Sequence, residues 1–159
     1  MYMNEEFKSK SVLTKEEAFN LLGEILKEHP KTQMTAVLSS VKKVLESRGD
    51  IGEKTVKSSS VTTTGNVKLH ETDYFIINEC FYDLLYGRVI TPGINESNGE
   101  LPWIRLSNEK NLEKYMNKDC QSCKENKTLD QYYKNVTKPD GLNGICIKCQ
   151  EKVNEKNKK

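Results

Sequence analysis

The sequence predicts an α+β fold, mainly helical, with a small metal-binding module at its C-terminus. Three segments before residue 87 carry apolar residues at helical spacing, and a turn-rich stretch between two β-prone segments follows the third. Two Cys-x2-Cys pairs lie beyond these elements. At 159 residues, the chain is long enough for one domain with a core and a small appendage.

Charge is unevenly distributed along a chain whose net charge is only +2. Residues 120–159 carry nine basic and five acidic side chains, whereas residues 66–119 carry six basic and nine acidic ones. The whole chain therefore has no strong electrostatic bias toward nucleic acid or membrane. Its basic charge is concentrated at the C-terminus, and its middle segment is acidic.

The N-terminal residues, MYMNEEFKSK, lack the apolar stretch of a signal peptide. No window approaches the roughly 18 apolar residues of a membrane span. These features predict a cytoplasmic protein that does not bind membranes. Cysteines stay reduced in that compartment, so paired Cys-x2-Cys motifs favour a metal site over disulfides.

Residues 1–48 are predicted to form an N-terminal helical pair. Thr14 and Glu17 have the spacing of a capping box at the start of the first helix, and His29-Pro30 ends it. The second helix is predicted over about 32–47, with Gly49 after its last turn.

Residues 49–66 are rich in Ser and Thr and are predicted to form a linker or loop, although part of them can also pair as a short strand. Residues 67–117 are predicted to form a helix over about 71–86, then a hairpin with strands at 88–91 and 101–106. The expected inner face of that helix comprises Tyr74, Ile77, Phe81, Leu84 and Leu85, widened by Phe75, Ile76 and Cys80.

Residues 118–150 are predicted to form a zinc ribbon, followed by a basic tail at 151–159. Twenty-two residues separate the two Cys-x2-Cys pairs, and each pair turns the backbone so that two sulfurs face one point. Four thiolates leave no open coordination position, so one structural Zn²⁺ is expected. The predicted ligands are Cys120, Cys123, Cys146 and Cys149.

Residues 120–149 resemble a zinc ribbon found in phage and bacterial proteins, often beside HNH endonuclease domains. The matching features besides the cysteines are Lys127, Tyr133 followed by a lysine, and Asp140-Gly141-Leu142. The resemblance implies a nucleic-acid context. HNH chemistry needs a histidine base and a second metal set, whereas His29 and His70 lie isolated far upstream. We therefore expect no enzymatic activity.

The order of three helices, a two-stranded wing and a last short helix is that of a winged helix-turn-helix. The segment around 80–110 resembles the wing region of such domains in prokaryotic and phage proteins. The resemblance implies contact between Arg88, Arg105 and a nucleic-acid backbone. Further candidates for phosphate contact are Lys124, Lys127, Lys134, Lys138 and Lys148. A solvated basic surface, and arginines that simply flank the sheet, are the alternatives.

The third helix argues against simple groove binding, because it carries four carboxylates and no basic residue. Two functions follow from the sequence. The first is a non-enzymatic nucleic-acid-binding regulatory protein, of phage or bacterial type, that binds DNA or RNA. The alternative is an adaptor or inhibitor that engages a host transcription or defence factor through the acidic helix–wing segment. The apolar helix faces leave dimerisation open.

Overall fold

The chain divides between Ser107 and Asn108 into two units. A computed structural model describes residues 7–158. It confirms the α+β class, since both helices and antiparallel strands are present. Residues 1–6 and 159, which belong to the predicted N-terminal pair and basic tail, lie outside the described residues. No helix within 7–158 combines the length and apolar character that a membrane crossing requires.

The first unit begins with two helices, α1 (Lys15–Glu28) and α2 (Met34–Ser47). Thr14 caps α1, because its Oγ1 accepts a hydrogen bond from the N–H of Glu17 at 3.1 Å. A short strand, β1 (Lys31–Gln33), separates the helices where the sequence predicted the start of α2. The buried stripes of the two helices include Leu22, Leu26, Val37, Val41 and Leu45.

The third helix, α3 (Glu71–Tyr86), buries a narrower face than the sequence predicted. Ile77, Phe81 and Leu84 are buried as expected. Tyr74 and Phe75 are instead 41% and 52% exposed. The difference arises because the buried residues of α3 share one side of the helix, and Phe75 falls on the opposite side.

The predicted hairpin is confirmed as β4 (Ile90–Pro92) and β5 (Trp103–Leu106). The two strands are antiparallel, with Ile90 opposite Leu106. β1 pairs antiparallel with the other edge of β5, which gives a three-stranded sheet of order β1-β5-β4. This sheet and the three helices enclose the core of the unit. Ile90 of β4 and Ile104 of β5 are fully buried in it.

A second hairpin occupies the segment that was predicted to be a linker. β2 (Gly52–Ser58) and β3 (Val61–Val67) pair antiparallel through seven residue pairs. The short-strand alternative for part of this segment thus holds, since threonine is β-branched and suits exposed strands, although Ser and Thr are also typical of loops. Thr55 and Thr64 contact each other across the strands, with their hydroxyl oxygens 3.2 Å apart.

The second unit contains α4 (Glu109–Leu112), β6 (Asn117–Asp119), β7 (Asn126–Thr128) and α5 (Ile147–Asn157). The predicted boundary at 117/118 falls inside this unit. The N–H of Leu129 hydrogen-bonds to the carbonyls of Glu113 and Met116, which ties the segment before the boundary to the segment after it. The predicted basic tail is helical through Asn157, because it continues the helix that begins at Ile147.

One buried carboxylate joins the start of α3 to the segment before α1. Asp73 is fully buried and accepts hydrogen bonds from Ser11 Oγ at 2.7 Å and from the N–H of Val12 at 2.9 Å. The N–H of Leu13 lies 3.2 Å from the same carboxylate. Three donors therefore offset the cost of burying this charge.

A buried thiol lies on the same face of α3. Cys80 is fully buried, and its Sγ lies 3.8 Å from the carbonyl oxygen of Lys15 in α1. Burial raises the pKa of this thiol to about 12, so it stays protonated at neutral pH.

We expect Asp73→Ala to lower the free energy of unfolding of the first unit by about 3 kcal/mol. The substitution leaves Ser11 and two backbone N–H groups without their acceptor. Urea denaturation followed by fluorescence of Trp103, the single tryptophan, measures the change. Glu71→Ala, at an exposed site in the same helical turn, is the control and should change stability by under about 0.5 kcal/mol. Equal stability of the two variants would contradict this role of Asp73.

Candidate metal centre

Two backbone turns bring four cysteines together in the second unit. Cys120 and Cys123 lie in the turn between β6 and β7, while Cys146 precedes α5 and Cys149 lies in its first turn. The four sulfur atoms all lie within 4.8 Å of one another. The predicted ligand residues thus form one cluster that can hold a metal ion.

The spacing of the sulfurs fits tetrahedral coordination. A tetrahedron with metal–sulfur bonds of about 2.3 Å, the zinc value, has sulfur–sulfur edges of about 3.8 Å. Cys120 Sγ and Cys149 Sγ are 3.8 Å apart. All four thiols are free, and a disulfide would require a separation near 2.05 Å. The donor set therefore fits a metal such as zinc.

Backbone N–H groups point at the sulfur of Cys120. The N–H of Cys146 lies 3.3 Å from Cys120 Sγ, and that of Cys123 lies 3.5 Å away. Burial alone would raise the pKa of Cys120, but these donors and the N–H of Ser122 stabilise the thiolate and lower its pKa to about 6. The first knuckle, the turn that carries Cys120 and Cys123, is thus arranged to stabilise negative charge on Cys120.

Lys127 is part of the metal centre rather than of the open surface. Its Nζ lies 3.3 Å from Cys146 Sγ and 3.4 Å from a carboxylate oxygen of Glu125, and its side chain is only 19% exposed. The hydrogen bond to Cys146 is the main cause that raises the pKa of Lys127 above its usual value. A lysine cation therefore offsets negative charge on the sulfur of Cys146.

A small core supports the cluster. Tyr132 and Leu142 are buried against Cys120 and Cys146. The Tyr132 hydroxyl donates to the carbonyl oxygen of Lys118 at 2.6 Å, and burial raises the pKa of this phenol to about 12. The neighbouring Tyr133, one of the residues that match the zinc-ribbon pattern, is 42% exposed and lies outside this core.

The other predicted lysines lie in different environments. Lys134 forms an ion pair with Glu113 but keeps an exposed side chain. Lys124 is exposed and has a positive φ of 64° in the first knuckle. Lys138 and Lys148 are also exposed. Three of the five predicted lysines are therefore exposed without an ion pair among residues 7–158.

The two predicted arginines belong to the first unit. Arg105 Nη1 donates to the carbonyl oxygens of Pro92 at 2.7 Å and Gly93 at 3.1 Å, so its guanidinium holds the end of β4. Arg88 is exposed with a φ of 55°, and its carbonyl accepts a hydrogen bond from Ser107. Because contacts with backbone carbonyls hold the Arg105 guanidinium, the side chain of Arg88 is the less constrained of the two.

Neither the protein-family models, nor the curated proteins, nor the solved structures contain a match to this chain. Its class is therefore defined by its own features: an α+β protein whose C-terminal unit holds a four-cysteine site that fits a metal ion. Any function follows from the positions and charges of its own residues.

We expect the full chain to bind one Co²⁺ with the intense sulfur-to-metal charge-transfer absorption of a four-thiolate site. Cys123→Ser should weaken that band and the affinity, because one of four sulfur donors is lost. Cys80→Ala is the matched control, since the fifth cysteine lies outside the cluster. Unchanged absorption in Cys123→Ser would exclude the proposed ligand set.

We expect Lys127→Ala to weaken metal binding by about tenfold, since the donor to Cys146 Sγ is removed. Competition with a chromophoric chelator measures the affinity. Lys138→Ala removes an equal charge from an exposed site of the same unit and should leave the affinity unchanged. If both variants bind metal like the parent chain, Lys127 does not stabilise the thiolates.

Proposed function

We propose that this chain is a non-enzymatic nucleic-acid-binding regulatory protein, of phage or bacterial type, that acts in the cytoplasm. It would combine a winged helix with a zinc ribbon. The observation that carries the proposal is a column of exposed lysines on α5, the helix that begins at the second cysteine knuckle.

Lys148, Lys152 and Lys156 are spaced four residues apart, so their side chains are neighbours on one side of α5. All three are exposed. Glu151 and Glu155 lie three residues after Lys148 and Lys152, so they offset part of the repulsion among the lysines. A row of phosphates beside the column could contact all three ammonium groups, and such contacts need no particular base sequence.

Bound zinc would stabilise the lysine column by holding the first turn of α5 in place. Cys146 and Cys149 lie at the first turn of the helix, and Cys120 and Cys123 lie in the other knuckle. Bound zinc supplies the folding free energy that so small a core lacks. With four sulfur ligands it has no open position for substrate, which supports a structural role.

The first unit supports the winged-helix interpretation through its element order. A helix, a strand and a second helix are followed by the β2–β3 hairpin, a third helix and the two-stranded β4–β5 hairpin, and β1 lies beside β5 in the sheet. The loop between β4 and β5 would be the wing. Arg105 stabilises the base of that loop, which leaves Arg88 as the candidate for phosphate contact there.

The acidic α3 favours phosphate contact elsewhere. Glu71 and Glu79 are exposed on α3, and Asp83 is half-buried and paired with Lys15. Carboxylates facing a nucleic-acid backbone are repelled. The lysine column and the exposed lysines of the ribbon are therefore the preferred contact surface.

We expect the metal-loaded chain to bind mixed-sequence duplex DNA with an affinity that falls steeply between about 50 and 200 mM salt. Substituting glutamine for Lys148, Lys152 and Lys156 together should reduce the slope of log affinity against log salt by about 2.7, because three phosphate contacts are lost. Fluorescence anisotropy measures binding, and Co²⁺ absorption verifies that the metal site persists.

The matched control removes negative instead of positive charges from the same helix. Glu151→Gln with Glu155→Gln removes two exposed negative charges from α5 and should strengthen binding. Absence of DNA and RNA binding at low salt would overturn the proposed function. Binding that is unaffected by the triple lysine substitution would place the contact on another surface.

A further inference from the structure

The outer face of α3 exposes four aromatic side chains on one 16-residue helix. Tyr74 and Phe75 are 41% and 52% exposed, Tyr82 is 51% exposed and Tyr86 is 86% exposed. Phe75, Tyr82 and Tyr86 fall at positions i, i+7 and i+11, so they follow one side of the helix. Large aromatic residues clustered on an exposed surface are typical of protein interfaces.

The aromatic side chains border a shallow hollow. Phe75, Asn78, Glu79 and Tyr82 line it from α3, together with Asp83 and with Lys15 of α1. Its volume is about 420 Å³, which is large enough for one or two side chains of a partner. The hollow is open to solvent on the side where Phe75 and Tyr82 are exposed.

The charge of this face is negative. α3 contains four carboxylates and no lysine or arginine. Asp73 is buried, and Asp83 is paired with Lys15 Nζ at 2.9 Å. Glu79 is exposed in the hollow and forms no ion pair with the residues described between 7 and 158. A carboxylate beside exposed rings is thus available to a cation.

We propose that the Phe75–Tyr86 face of α3 docks a basic segment of another protein, one that carries lysine or arginine beside aliphatic residues. A guanidinium or ammonium group can lie over the ring of Tyr82 while it pairs with Glu79. The aliphatic stem of the same side chain, or a neighbouring leucine, covers Phe75. This inference does not depend on nucleic-acid binding by the second unit.

Charge also argues against two other occupants. A twofold contact between two copies of α3 would place the same patch against itself, so Glu79 of each copy would face an acidic surface. Nucleic acid would bring phosphates to the same carboxylates. A basic polypeptide is the occupant whose charge complements the face.

The test selects ligands from a phage-displayed library of random 12-residue peptides on the full, metal-loaded chain. We expect enrichment of peptides with lysine or arginine next to leucine or an aromatic residue. Tyr82→Ala and Glu79→Gln should each weaken the selected peptides by about tenfold or more. Both positions are exposed, so the variants should keep the fold, which circular dichroism verifies.

Two matched controls leave the face intact. Tyr133→Ala removes an aromatic residue of similar exposure from the second unit, and Glu53→Gln removes an exposed carboxylate from β2. Neither should change peptide affinity. Selection of acidic peptides, no enrichment, or peptides that bind Tyr82→Ala as tightly as the parent would overturn the proposal. So would a dimer, or DNA binding, that Tyr82→Ala abolishes.

Discussion

Mutual repulsion among four sulfur atoms is the constraint on which the second unit depends. Thiolates gathered within 4.8 Å cannot all be ionised unless a cation lies among them. The chain surrounds the cluster with donors: backbone N–H groups point at Cys120, and the Lys127 ammonium points at Cys146. A metal ion held by the four sulfurs would balance the remaining negative charge, and the two cysteine turns, the small core around Tyr132 and the start of α5 surround that position.

The first unit also contains a buried acidic group, and hydrogen bonds rather than a metal stabilise it. Asp73 is a buried charge whose three donors come from the segment before α1, so one carboxylate fixes the position of two distant parts of the chain. α3 therefore has two distinct sides: its inner side, with Asp73, binds the segment before α1, and its outer side exposes Phe75.

Features marked by a recognisable residue pattern could be predicted from the sequence, and contacts of single residues without such a pattern could not. The Thr14 cap, the β4–β5 hairpin and the cysteine cluster each follow from a pattern: a capping box, turn residues between two β-prone segments, and paired Cys-x2-Cys motifs. The contacts of Lys127 with Cys146 and of Tyr132 with a backbone carbonyl are not marked by any motif. For residues 49–66 the composition favours a linker, and a short strand was the alternative; the regular β2–β3 pairing supports that alternative.

Burial protects the thiol of Cys80 from alkylating reagents in the folded protein. Its sulfur is inaccessible and protonated, whereas reagents attack exposed thiolates. Among the five cysteines, Cys123 is exposed and Cys149 partly exposed, whereas Cys120 and Cys146 are buried like Cys80. Labelling of the folded chain is therefore expected first at Cys123 and Cys149, whereas labelling of the unfolded chain counts all five thiols.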